Sequence, residues 1–221
     1  MRVLRSTAFV IQAALWTLFA APIQIAGALL LRGKWGYHLG KFWRLGIQWG
    51  VVHLLGIRPN FVGLENMPKE ACVILSKHQS AWETLFLQDC VPPGAYCVFV
   101  LKKELLRVPF IGWGLGAMKM ISIDRAAGKN ALDQVVTQGR ERLKQGFYVI
   151  IFPEGTSVAP GQKKRYKPGG AYLAPSMALI TASASMGPVN RSSSTGGWMT
   201  SASRPQNREI FSATFRLIPR P

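Results

Sequence analysis

The chain has 221 residues, 48% of them hydrophobic and 17% charged, with 27 Lys and Arg against 10 Asp and Glu for a formal net charge of +17. That is enough chain for one domain with a full core, and it is too apolar for global disorder. Three cysteines, Cys72, Cys90 and Cys97, with no CxxC spacing and no clustered histidines, give neither a disulfide framework nor a zinc site.

The charge is unevenly laid out. No acid precedes Glu65, yet Arg2, Arg5, Arg32, Lys34, Lys41, Arg44 and Arg58 do, and they flank apolar runs. A chain facing anionic lipid headgroups has this layout, each well-placed basic residue adding about 1 kcal/mol of attraction. Nucleic-acid binding also needs basic residues, but on a soluble face, so the apolar N-terminus argues against that partner.

Residues 8–31 carry no charge over 24 positions. At about 1.5 Å per residue such a helix crosses a bilayer core of roughly 30 Å. Pro22, near the middle, predicts a kink or a split into two pieces. Basic residues lie at both ends, so the positive-inside rule does not orient the run. A cleavable signal peptide is the competing reading, with Arg2 and Arg5 as its basic start and Ala26-Gly27-Ala28 as a small-residue site. The apolar run exceeds the usual h-region of about 7–15 residues, which favours an uncleaved anchor. Residues 37–57, with Trp43 and Trp49 among leucines and with Lys41 and Arg44, predict a second helix, interfacial or buried.

From Phe61 the texture becomes that of a soluble α/β domain. Residues 71–75, 95–101, 118–123 and 147–152 read as short buried strands. Residues 130–145 read as a helix with Leu132, Val135, Val136 and Leu143 on one face and Gly146 as its stop. Strands alternating with helices predict an α/β fold: a mostly parallel sheet with covering helices, preceded by N-terminal membrane helices. The expected division is membrane-anchoring helices in 1–57, a catalytic domain in 58–174 and an atypical tail in 175–221. The tail has nine Ser, five Arg, no Lys and one acid, Glu209, and shows neither helical nor strand periodicity. A poorly ordered extension or a reading frame shifted near Ala174 would both produce it; translating the gene in its other two frames distinguishes them.

Three places carry candidate chemistry. His78 follows the first strand in Ser76-Lys77-His78-Gln79-Ser80-Ala81-Trp82-Glu83, and strand ends of parallel sheets are where ligands bind. Histidine takes a proton from a hydroxyl near neutral pH, and a carboxylate five residues on, Glu83, can hold its tautomer. Ser80 and Glu83 equally fit a capping box at a helix start. Phe152-Pro153-Glu154-Gly155-Thr156, after the last buried strand, brings a carboxylate and backbone amides to one turn, or is a plain tight turn. Lys163, Lys164, Arg165 and Lys167, together with Lys102, Lys103, Arg107 and Arg125, are either phosphate-gripping cations or a solvated basic face.

Taken in order, His78–Glu83, Lys103 to Gly112, Ile123-Asp124-Arg125, Phe152 to Thr156 and Lys167-Pro168-Gly169-Gly170 resemble the glycerolipid acyltransferase family, in particular its bacterial branch that acylates 1-acylglycerol 3-phosphate (lysophosphatidic acid). The resemblance covers roughly residues 58–174. It implies His78 as the base and Glu83 as its partner, where the family has Asp. It implies direct transfer of a fatty acyl group from acyl-coenzyme A or acyl carrier protein to the sn-2 hydroxyl of lysophosphatidic acid, forming phosphatidic acid for phospholipid biosynthesis. No metal or cofactor is implied. Substrate binding falls to Lys103, Gly112, Arg125, Glu154, Gly155 and Thr156, with Ser157 standing where the family has Arg. The family's later apolar-Pro motif has only a poor counterpart in Met186-Gly187-Pro188-Val189, and an altered ending would impair this chain. The implied location is the inner (cytoplasmic) membrane with the catalytic face cytoplasmic, among membrane lipids. Another lysolipid acceptor, such as an ornithine lipid or a lipid A precursor, and a non-catalytic basic lipid-binding protein are the alternatives.

Overall fold

A computed structural model describes residues 2–30, 35–80, 82–159, 162, 164–173, 179–186 and 210–219. Arg32, Lys34, Lys163 and the Gly187-Pro188-Val189 stretch, all singled out above, lie outside them.

Two long helices open the chain, α1 (Arg2–Leu30) and α2 (Trp35–His53). They form an antiparallel pair tied by side chains that reach across. Gln12 donates to the Gly46 carbonyl (3.1 Å), the Trp16 indole to the Trp43 carbonyl (2.8 Å) and the Trp43 indole to Thr17 Oγ1 (3.0 Å). Close approach needs Gly46 and Gly50: a Cβ on the first would strike the Trp16 indole, and on the second the Gln12 amide. Pro22 does not split the run, and α1 is one helix. Both halves are pinned to neighbours, through Trp16 and Thr17 before the proline and through Gln24 after it, so one lost backbone bond does not end the helix. Residues Val3–Gly27 are long and apolar enough to cross a membrane. Val10, Leu15, Leu18 and Phe19 stand out from α1 more than half exposed. An exposed apolar flank of this kind on a basic chain suits contact with a membrane.

The remaining elements are β1 (Ile57–Val62), β2 (Val73–Ser76), α3 (Trp82–Phe86), β3 (Tyr96–Lys102), α4 (Ile111–Ala117), β4 (Ile121–Ile123), α5 (Lys129–Lys144), β5 (Phe147–Ile151), α6 (Gly169–Leu173), β6 (Leu179–Met186) and β7 (Ile210–Pro219). The strands form one sheet in the order β1-β7-β6-β2-β5-β3-β4. Every neighbouring pair is parallel except β1 with β7. β5 is buried along its whole length, as a central strand of a sheet covered on both faces must be. Val73, Ile74, Val98, Ile121, Val149 and Ile150 are sealed from solvent, each such side chain contributing about 1.5–3 kcal/mol.

Four strands and α5 fall within a few residues of their expected places. Three strands do not follow from the sequence reading. β1 was hidden by Pro59 and by its alternation of half-buried and exposed positions at a sheet edge. β6 and β7 lie in the stretch expected to have no periodicity. β6 runs Leu-Ile-Thr-Ala-Ser-Ala-Ser-Met, small polar residues that give no apolar alternation, and its pairing with β2 and β7 comes from the backbone.

The hairpin is joined to the domain by buried polar groups. Arg44, 4% exposed, donates to Asp89 (2.7 Å) and to the Leu85 carbonyl (3.0 Å). Gln48 donates to the other Asp89 oxygen (2.7 Å) and to the same carbonyl (3.0 Å). Phe9 of α1 meets Trp82 of α3 edge to face, with centroids 5.2 Å apart.

Candidate active site

β2 ends at Ser76, and the chain turns through His78 into α3. The Ser80 hydroxyl accepts from the Trp82 amide (3.2 Å) and starts that helix. Glu83 in its first turn is 2% exposed. Its carboxylate reaches back to the Gln79 amide with both oxygens (2.9 Å each) and meets His78 Nδ1 at 3.2 Å. The capping and the tautomer-holding roles therefore coexist on one carboxylate. The backbone amide that Glu83 satisfies is that of Gln79, one residue before the expected one.

His78 is fixed from its other side by the turn after β5. The Phe152 ring stacks on the imidazole, centroids 4.2 Å apart and planes at 22°. The Val158 amide donates to the His78 carbonyl (2.8 Å). The His78 amide points at Glu154 Oε2 (3.4 Å), a long contact. With Glu83 ionised, Nδ1 carries the proton and Nε2 is left with its lone pair, the arrangement a general base requires.

His78 lines a cleft of about 630 Å³, within the usual range for a small-molecule site. Leu101, Leu105, Ile111, Leu115, Met118 and Met120 give it apolar walls. Arg125, Gly155 and Thr156 line it together with His78. Three of the expected substrate-binding residues do not line it. Lys103 is exposed on a 3-10 turn (Lys103–Arg107), and its neighbour Lys102 takes the place on the wall. Gly112 is buried in the first turn of α4, where a Cβ would run into the backbone of Leu105 and Leu106, so it holds a packing position. Glu154 is turned inward and 2% exposed.

Sequence reasoning missed Phe152 as the ring beneath His78 and Arg44 as the anchor behind α3. A phenylalanine directly before the Pro-Glu-Gly turn was the available signal for the first. Burial pushes the thiols of Cys72, Cys90 and Cys97 up to about 12, from an ordinary 9.0. Thiolate is therefore scarce at neutral pH, and none of the three lines the cleft.

A histidine backed by a buried carboxylate, opening on an apolar cleft with cations in its wall, is an arrangement that can take a proton from a hydroxyl. The chain belongs to the Acyltransferase family, whose model matches residues 58–190, a span that includes β6. It is 46% identical over 156 residues to a 1-acyl-sn-glycerol-3-phosphate acyltransferase of Pseudomonas aeruginosa, covering 71% of this chain and 57% of that protein. It is 30% identical over 160 residues to human 1-acyl-sn-glycerol-3-phosphate acyltransferase alpha, covering 72% of this chain and 55% of that one. The chain thus spans little more than half the length of these curated relatives. Its fold is similar to the crystal structure of the 1-acyl-sn-glycerophosphate acyltransferase PlsC from Thermotoga maritima (TM-score 0.57, 19% identity), covering 99% of this chain and 84% of that one.

Proposed function

We propose that this chain transfers a fatty acyl group from acyl-coenzyme A or acyl carrier protein to the sn-2 hydroxyl of lysophosphatidic acid, giving phosphatidic acid for phospholipid biosynthesis. The observation that carries the reading is the 3.2 Å contact between His78 Nδ1 and the buried Glu83 carboxylate at a cleft wall. Nε2 removes the hydroxyl proton as the alkoxide-like oxygen attacks the thioester carbonyl. The C–O ester bond forms, the C–S bond breaks, and the proton held by His78 passes to the departing thiolate. Glu83 stabilises the imidazolium in between. The apolar walls suit an acyl chain, and Arg125, Gly155 and Thr156 suit the polar end of the acceptor. The names of the relatives support the choice of acceptor.

Acyl donors are cytoplasmic molecules, so the reading places the cleft on the cytoplasmic face of the inner membrane, with α1 and α2 among membrane lipids. His78→Ala should lower acyl transfer by about 10²–10⁴-fold while the protein still sediments with membranes. Unchanged turnover in that variant would end the role of His78 as the base, and a wild-type chain that binds lysophosphatidic acid but transfers no acyl group would be a lipid-binding protein.

A further inference from the structure

Residues 105–113, the 3-10 turn and the start of α4, expose Leu105, Val108, Phe110, Ile111 and Trp113 together. Their shape follows from the sequence. Gly112 and Gly114 face inward: a Cβ on the first would strike the backbone of Leu105 and Leu106, and a Cβ on the second would come within 2.9 Å of the Gln24 amide oxygen. Trp113, between them, is turned out and half exposed. Phe110 has φ 62° and ψ -58°, and the Ile111 amide donates to the Pro109 carbonyl at 2.7 Å. That is a γ-turn of the rare, strained hand. It leaves the Phe110 ring exposed beside Trp113, with centroids 5.5 Å apart.

An aromatic pair held out on a strained turn gains nothing from water, whereas sinking into lipid would offset the strain. The surroundings favour lipid. α4 touches α1 inside the stretch that is long and apolar enough to cross a membrane, where Gln24 Nε2 donates to the Gly114 carbonyl at 3.3 Å. Ile23, next to Gln24 on α1, is exposed as well. Lys102, Lys103, Arg107 and Lys119 are exposed around the aromatic pair against one acid, Glu104, a balance that suits anionic headgroups. Leu105 and Ile111 belong at once to this face and to the wall of the cleft that holds His78. We propose that residues 105–113 form a second lipid-binding surface of this chain, separate from the α1–α2 hairpin: Phe110 and Trp113 sink into the bilayer surface at the mouth of the cleft. The contact stands on its own geometry. Its consequence rests on the proposed function: a lysolipid acceptor passes from the bilayer along Leu105 and Ile111 to His78 without crossing water.

The full chain is reconstituted into vesicles of phosphatidylcholine and phosphatidylglycerol, with and without phosphatidylcholine brominated on its acyl chains. The chain has seven tryptophans, so the emission of Trp113 is read as the difference between the wild type and Trp113→Phe. Brominated lipid should remove most of that difference signal. A Trp113 signal that brominated lipid leaves intact overturns the proposal and leaves the face to a protein partner. The second readout is acyl transfer by a variant with Phe110→Gly and Trp113→Ser, in which glycine accepts the φ of 62° without strain and neither changed residue lines the cleft. Transfer to oleoyl-lysophosphatidic acid carried in the vesicles should fall by about tenfold or more. Transfer to the hexanoyl analogue, dissolved as a monomer, should stay at the wild-type rate. Equal losses with the two acceptors, or no loss with either, overturn the proposal. Wild-type protein that transfers no acyl group to either acceptor would refute the proposed function, and the quenching of Trp113 would still decide the lipid contact.

Discussion

At the scale of single residues, Glu83 is asked to do two things with one carboxylate, and they separate in measurement. It accepts the Gln79 amide on both oxygens and holds His78 Nδ1. Glu83→Gln preserves the shape and one acceptor oxygen but removes the charge that stabilises the imidazolium. The new amide nitrogen also meets either the Gln79 N–H or a histidine nitrogen as a second donor, which favours the wrong tautomer. The expected result is a fall in kcat of about 10²-fold or more with little change in KM. Unfolding stability should fall by only about 1–2 kcal/mol, for one weakened buried hydrogen bond. Calorimetry and steady-state kinetics on the same preparation test this. If stability collapses while the residual folded fraction turns over normally, Glu83 is a helix cap and nothing more.

At the scale of elements, the junction between α2 and the loop after α3 sets how the hairpin is fastened to the catalytic domain. Arg44 is 4% exposed and Asp89 35%, so their losses should be unequal. Asp89→Ala strands a guanidinium in the interior, at a cost of about 3–5 kcal/mol. Arg44→Met leaves a carboxylate that water still reaches and that Gln48 still bonds, so it should cost clearly less. Thermal unfolding in detergent ranks the two, and a larger loss for Arg44→Met would show that this junction does not depend on the buried charge. Arg44 also shows why the sequence was legible in some places and not in others. The strands that hold the site, β2, β3 and β5, are runs of apolar residues bounded by turns, and their local pattern is enough to find them. The pairing of His78 with Glu83 was readable because it closes over five residues across one turn. Arg44 reads in sequence as one more basic residue on an interfacial helix, since its partner is 45 positions away. Gly112 and Lys103 were expected in the site only through the family resemblance, whereas the tight contact of α4 on the preceding 3-10 turn, visible only in three dimensions, gives Gly112 a packing position.

At the scale of the whole molecule, the strand that leads into the His78 turn is flanked by a strand from the end of the chain. β6 lies beside β2 in register from Val73–Leu179 to Ser76–Ala182, and β7 joins β6 to β1. We propose that β6 and β7, despite the unusual composition of residues 175–221, complete the sheet rather than trail from it. Without them β2 becomes an edge, with a row of unpaired backbone groups on the side away from β5, and β1 loses the strand it pairs with. A chain ended after Ala174 keeps His78, Glu83, the Phe152–Thr156 turn and Lys167. A site made of these residues alone would remain active in it. A site that needs β2 held on both sides would not, because the His78 turn begins where β2 pairs with β6. The expected outcome is a truncated protein that aggregates on extraction, protects the amides of residues 73–76 poorly against hydrogen exchange, and transfers acyl groups at under about a tenth of the full-length rate. Full-length activity and protection in the truncated chain would mean that β6 and β7 add nothing the site requires.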